Sequence, residues 1–197
     1  MEVRGLAVFD TAIGPCALAW GPRGILGVQL PDRHAAATRD RLQRRFRGLP
    51  EASPPPEVER AIDAIVALMR GESRDLSDVA LDMRDVPAFR QRLYRALRDI
   101  PPGSTVTYGD LAARIGGGCT ARDVGEAMAG NPFPIIVPCH RVLAANGKMG
   151  GFSAPGGVRT KARILNIEQA QIANAPTLFD DLPLSLPPQR RRTPART

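Results

Sequence analysis

Residues 107–132 read TYGDLAARIGGGCTARDVGEAMAGNP, and the way they divide decides the fold of the second half of the chain. Tyr108 to Ile115 and Thr120 to Ala129 are two short helix-forming stretches, with Gly116, Gly117 and Gly118 as the break between them. Two short helices joined by a glycine turn make the helix-turn-helix pattern. Many helical hairpins look alike, so the surroundings have to supply support. Upstream, VPAFRQRLYRALRDIP puts Phe89, Leu93, Ala96, Leu97 and Ile100 on one helical stripe, stopped by Pro101-Pro102-Gly103. Downstream, VRTKARILNIEQA predicts a closing amphipathic helix with Val158, Ala162, Leu165 and Gln169 at helical spacing.

The charge supports a polyanion partner. The chain of 197 residues has a formal net charge of +7, distributed unevenly. Residues 1–85 carry 12 basic and 13 acidic groups, whereas residues 86–175 carry 11 basic and 5 acidic ones. The basic excess therefore falls in the half with the helix pair, where DNA would be attracted. A solvated basic face is the bland alternative.

The opening half is different in kind. LAVFDT, PCALAW and ILGVQL read as short strands, with Gly21-Pro22-Arg23-Gly24 as a tight turn. Residues 34–47 predict a helix, and LPEASPPPE is a Pro-rich connection. EVERAIDAIVALMRG predicts a second helix with Val58, Ala61, Ile62, Ile65, Leu68 and Met69 on one face. VALDM at 79–83 predicts a further strand. The expectation is a small α/β domain over 1–85, a helical domain over 86–172, and a disordered basic tail over 173–197.

Several classes are excluded as expectations. The opening MEVRGLAVFD lacks a basic start followed by an apolar block, and no apolar run approaches the length of a membrane helix, so a cytoplasmic, nucleoid-associated protein with no membrane partner is expected. Three widely spaced cysteines, Cys16, Cys119 and Cys139, argue against a disulfide framework. There is no CxxC pair, and Cys16 and His34 are too few for a zinc site. The glycine-rich LAANGKMGGFSAPGG at 143–157 lacks the GxxxxGK[ST] of a phosphate loop and instead would let backbone approach a ligand closely.

The chemistry is carried by PIIVPCHRV, Pro134 to Val142. An apolar run ends at Pro138, and Cys139, His140 and Arg141 follow. Cys139 has four readings: a buried structural cysteine, a metal ligand, a protease-type nucleophile, or a thiolate poised at a helix start beside an imidazole and a guanidinium. Each of the latter features lowers a thiol pKa, and the thiolate is the nucleophilic form. Neighbours on an extended strand point to opposite faces, so a Cys139–His140 contact needs a turn or helix start.

NPFPIIVPCHRV, followed by GGFSAPGG and a closing helix with a Glu, resembles the O6-alkylguanine-DNA alkyltransferases, also called methylated-DNA–protein-cysteine methyltransferases. The resemblance runs from about Val86 to Gln169 and is looser over 1–85. It implies a ribonuclease-H-like α/β N-terminal domain and a winged-helix-like helix-turn-helix C-terminal domain. It further implies a monomer that approaches double-stranded DNA from the minor groove. The alkyl group on O6 of guanine, and on O4 of thymine, would pass irreversibly to a cysteine, with no cofactor and one turnover per molecule. By resemblance Cys139 is the acceptor, His140 the base acting through a water, and Glu168 the group orienting His140. Asn131 would bridge the recognition helix and the active-site loop. Tyr108 would help rotate the nucleotide out, Arg122 would fill the gap in the stack, and Thr120, Ala121 and Arg141 would complete the DNA-contacting set. Tyr108, Val142 (through its carbonyl) and Ser153 would line the base pocket. Flipping the base costs roughly a few kcal/mol.

Two positions depart from the family pattern. Thr120 and Asp123 stand where well-known members have alanines, and an acid facing phosphate weakens binding unless it turns away or pairs with an arginine such as Arg122. The tail, PTLFDDLPLSLPPQRRRTPART, lies outside the resemblance. Its Leu178 and Phe179 suggest a docking segment for a replication clamp, set against a plain solvated end. Two other functions stay open at this point: a protein of the same fold that binds alkylated guanine without repairing it, and a helix-turn-helix regulator whose Cys139 senses alkylation or oxidation.

Overall fold

The structure, a computed structural model, describes residues 4–170. The tail and its clamp segment lie outside the described residues. The chain opens with an antiparallel meander, β1 (Gly5–Thr11), β2 (Gly14–Gly21) and β3 (Gly24–Gln29), in spatial order β1-β2-β3. Two short turns set the register: Thr11 faces Gly14, and Gly21 faces Gly24. Gly24 has a φ of +125°, which a side chain would strain, and a Cβ there would strike the Ala80 carbonyl at 2.4 Å. β2 is central and buried from Cys16 to Gly21, and it carries Trp20, 1% exposed.

Helices α1 (Ala35–Arg45) and α2 (Pro56–Met69) follow, as the periodicity predicts. His34 caps α1, accepting from the Ala37 amide at Nδ1, and Pro56 opens α2 at a position that needs no donor. The strand expected at 79–83 does not form. Ala80 and Asp82 bond Ile25 in one isolated parallel bridge, Ile25 to Leu81, and the chain then turns away. Alternation of Val79, Leu81 and Met83 gives the right apolar face, but the next ladder position has no partner.

The second half contains α3 (Ala88–Arg98), β4 (Val106–Thr107), α4 (Tyr108–Ile115), α5 (Ala121–Ala129), β5 (Val142–Leu143) and α6 (Val158–Ile167). The helix pair α4–α5 divides where the sequence indicates, with Gly116, Gly117 and Gly118 all at positive φ. Both helices begin with a reciprocal cap: Thr107 with Asp110, and Thr120 with Asp123. Each satisfies two otherwise orphaned amides, a contribution of about 1 kcal/mol per cap. α3 packs across the pair, and Tyr94 Oη donates to the Ala127 carbonyl at 3.1 Å while its ring meets Phe133 edge-on.

The closing helix is rotated from expectation. Its buried face is Lys161, Ile164 and Leu165, while Val158 is 41% exposed and Gln169 lies beyond the helix end at φ +55°. The stripe through 161, 164, 165 and 168 is masked in the sequence by its two charged members: Glu168 is buried against His140 and Arg141, and Lys161 is buried on the Val142 carbonyl.

One apolar core joins the halves. It runs from Trp20, Ile25 and Val28 through Ile65 and Leu68 to Leu97, Val124, Phe133 and Ile164. β3 docks directly on the segment leading to Cys139, the Val28 amide donating to the Pro132 carbonyl at 2.8 Å. Gly27 permits this approach, because a Cβ there would come within 2.6 Å of the Phe46 ring and 3.2 Å of the Pro132 oxygen. Among the described residues no helix is long and apolar enough to cross a membrane, and no group of three or more His, Cys, Asp or Glu side chains is placed to hold a metal ion. Cys16 is buried in β2 beside Thr11, so neither it nor His34 is spare.

Candidate active site

Asn131 builds the site from the end of α5. Its Oδ1 accepts from the Phe133 amide at 2.9 Å, which turns the chain into the PFPII segment. Its Nδ2 donates to the Val137 carbonyl at 2.9 Å and to Cys139 Sγ at 3.3 Å. Ile135 sits in the bend with φ +75°, a costly conformation for a β-branched residue, and its side chain is 1% exposed. After Pro138 the chain makes a single 3₁₀ turn over Cys139–Arg141, the helix start that the adjacency of Cys139 and His140 requires.

His140 and Glu168 form the second layer. His140 Nε2 lies 3.0 Å from Glu168 Oε1, and both side chains are closed to solvent. The acceptor carboxylate fixes the proton on Nε2, which leaves Nδ1 with its lone pair. Nδ1 is buried and has no hydrogen-bond partner among the described residues. Burial holds the His140 pKa below its usual value, against the raising effect of Glu168. The ring is therefore neutral near pH 7 and able to accept a proton. Burial alone would raise Glu168, but the hydrogen bonds and charges of His140 and Arg141 outweigh it and hold the carboxyl at about 2.

Arg141 corrects one expectation. It is not a DNA contact: it is 5% exposed, its Nε and Nη2 donate to the two Glu168 oxygens at 2.9 and 2.8 Å, and Nη1 donates to the Ile100 carbonyl at 2.5 Å. Its charge is spent on Glu168. Cys139 corrects another. Burial is the largest influence and pushes the thiol above its ordinary value, although Asn131, Lys161 and two backbone amides pull it down. The neutral imidazole and the compensated guanidinium do not supply the field that would hold a resting thiolate.

Lys161 is the residue that the sequence reading missed. It is fully buried, and Nζ donates to the Val142 carbonyl at 2.5 Å. Burial lowers its pKa to about 8, with Cys139 opposing. Of the buried charges, those of Arg141 and Glu168 cancel, so Lys161 is the cation left to face a forming thiolate. The available signal was its phase, three residues before Ile164 and four before Leu165. The Val142 carbonyl, expected to face the base, is the acceptor for Lys161 and does not line the cavity at Cys139.

That cavity, about 340 Å³, is lined by Tyr108, Gly125, Met128, Ala129, Cys139 and the loop 151–153. Tyr108 packs closely on two glycines, 3.3 Å from a Cβ built at Gly150 and 3.7 Å from one at Gly125. Ser153 ties the loop to α5, its Oγ donating to the Ala129 carbonyl at 3.2 Å. Outside lies an open groove lined by Tyr108, Ala121, Arg122, Gly125 and Gly150. Arg122 projects from the first turn of α5 with 87% of its side chain exposed, paired with Glu126 on its own helix at 2.9 Å. Asp123 turns back to accept from the Thr120 amide and hydroxyl at 2.8 and 2.7 Å, and its pKa falls accordingly. The acid is thus taken up by the cap and not by Arg122. Thr120, in the DNA-contacting set, spends its hydroxyl on the same cap.

A helix pair with an exposed arginine on its second helix, backed by a cysteine with a base and a buried cation, defines a DNA-binding protein with a nucleophilic thiol. Residues 88–170 match the family model for the 6-O-methylguanine DNA methyltransferase DNA-binding domain. The chain is 43% identical over 120 residues to a methylated-DNA–protein-cysteine methyltransferase of Mycobacterium tuberculosis, covering 61% of this chain and 70% of that one. It is 36% identical over 171 residues to the protein of that name from Mycobacterium leprae, covering 87% and 96%. The crystal structure of Mycobacterium tuberculosis OGT in complex with DNA superposes with a TM-score of 0.67 at 32% identity, covering 84% and 92%. The chain belongs to the methylated-DNA–protein-cysteine methyltransferase family.

Proposed function

We propose that this protein repairs DNA by direct reversal, moving the alkyl group from O6 of a guanine in duplex DNA to Cys139 Sγ, once per molecule. The observation that carries this reading is the placement of Cys139 between Asn131 and the base cavity, with a neutral histidine and a buried lysine behind it.

The guanine enters the cavity beside Tyr108, and Arg122 takes its place in the stack. His140 Nδ1 receives the thiol proton, directly or through a water, and the imidazolium is stabilised by Glu168. Lys161 faces the thiolate as it forms. Sulfur attacks the alkyl carbon in line, the S–C bond forms, and the C–O6 bond breaks with its electron pair left on the guanine. The proton given up by the thiol restores the guanine. The product is a thioether, so no group is left to reset the protein, and no cofactor is needed because sulfur is the acceptor. A methyl group on O4 of thymine presents the same carbon–oxygen bond. Asn131 and Ser153 act by holding the loop and α5 in register.

The finer description belongs to the same proposal: a ribonuclease-H-like support over 1–85, a winged-helix-like helix-turn-helix over 86–172, a monomer, minor-groove approach, and work in the cytoplasm at the nucleoid. The test is intact-mass and peptide spectrometry after mixing with excess duplex carrying one O6-methylguanine. One methyl gained per molecule, on the Cys139 peptide and absent from Cys139→Ala, is expected. Tight lesion binding without mass gain would replace repair by recognition alone.

A further inference from the structure

Cys139 borders two cavities. The first is the base cavity beside Tyr108. The second, about 250 Å³, lies towards the N-terminal half and is bounded by Gln29, Arg41, Arg45, Pro134 and Cys139. Met128, Ala129, Phe152 and Ser153 form the wall common to both. In an in-line displacement sulfur and O6 occupy opposite sides of the carbon. A substituent on that carbon must project sideways, and at Cys139 the second cavity is the space available to it. A methyl group has no use for 250 Å³.

The lining is cationic on one side. Arg41 and Arg45 are one turn apart on α1, so their guanidinium groups stand on the same face. Asp32 pairs with Arg41 at 3.5 Å. Among the described residues Arg45 has no acidic partner; its Nη1 lies 3.5 Å from the Val28 carbonyl, and its guanidinium stacks 5.3 Å from the Phe46 ring. Partial burial and then repulsion by Arg41 lower the Arg45 pKa, a penalty that an incoming anion would relieve. β3 and α1 bring these groups to the site through the Val28–Pro132 hydrogen bond and the Gly27 contact.

We propose, resting on the transfer reaction above, that this second cavity accepts alkyl groups larger than methyl that end in a carboxylate, with Arg41 and Arg45 as the residues that select them. The N-terminal half then sets substrate range as well as supporting the fold. With an O6-carboxymethyl group the step is the same: the S–CH₂ bond forms, the CH₂–O6 bond breaks with its pair on guanine, and the thiol proton passes to the guanine. Cys139 becomes S-carboxymethylcysteine, its carboxylate lying against the two arginines.

Single-turnover transfer, read by intact mass, is compared on three duplexes carrying O6-methylguanine, O6-carboxymethylguanine and the neutral O6-carbamoylmethylguanine. The proteins are the wild type, Arg41→Gln/Arg45→Gln and Arg41→Lys/Arg45→Lys. Loss of two charge-assisted hydrogen bonds should slow carboxymethyl transfer by the glutamine variant about tenfold or more. Methyl and carbamoylmethyl rates should not change, and the lysine variant should recover most of the loss. An equal fall on all three duplexes, or no fall on any, overturns the proposal by reducing the arginines to general DNA attraction or to bystanders. Wild type that transfers methyl but not carboxymethyl overturns it and leaves the repair reading intact. Wild type that transfers neither overturns the repair reading itself.

Discussion

Glu168 shows how much one side chain can hold together here. It neutralises Arg141, fixes the tautomer of His140 and sits at the end of α6. Its carboxyl is depressed from 4.5 to about 2, so the stability it gives is complete above pH 4.5 and is lost as the pH falls through about 2. The shift corresponds to about 3 kcal/mol. Urea midpoints measured from pH 5 to pH 2 should decline steeply, and a flat profile would show that the ion pair contributes nothing. Glu168→Gln should be destabilised by about 3 kcal/mol at pH 7, because Arg141 is left buried without a counter-charge. Sequence alone points to Cys139 and His140, whose adjacency after a proline is unusual. It gives Glu168 only by resemblance and conceals Lys161, since a charged residue in a helix reads as solvent-facing until its buried partner is known.

The elements were legible to different degrees. Helices α2, α3, α4 and α5 follow from apolar spacing and glycine or proline punctuation, both local properties of the chain. The strand at 79–83 failed because a ladder depends on a partner far away in sequence. The twin Thr-x-x-Asp caps went unread, although Thr107 with Asp110 and Thr120 with Asp123 repeat one local pattern at the starts of the two helices. That symmetry explains the acid at the start of α5 as a cap, where it also favours the positive end of the helix dipole. Asp123→Ala should lower stability by about 1 kcal/mol in thermal or urea unfolding, and binding to undamaged duplex should not tighten. A clear gain in affinity would mean that Asp123 faces phosphate after all.

At the scale of the whole molecule the continuous core is the governing fact. Trp20 and Ile164, from opposite ends of the described chain, belong to one apolar cluster, and Arg163 reaches back to the carbonyls of Ala12 and Ile13. Composition and charge suggested two halves of different character, and they do differ, but no local pattern reports that Gly27 lets them lock together. Calorimetry should therefore give a single endotherm whose calorimetric and van't Hoff enthalpies agree. Two resolved transitions would mean that the halves melt independently. The chain has one tryptophan, and it stands at the centre of this arrangement in β2. Its indole is sealed from water and far in sequence from the helix pair, so its emission should be blue-shifted and should stay constant while a duplex binds. The fold thus contains a built-in fluorescent gauge that is dark to DNA binding and bright to the integrity of the core. With it, whether the spent thioether form still holds its shape can be read in solution without a label.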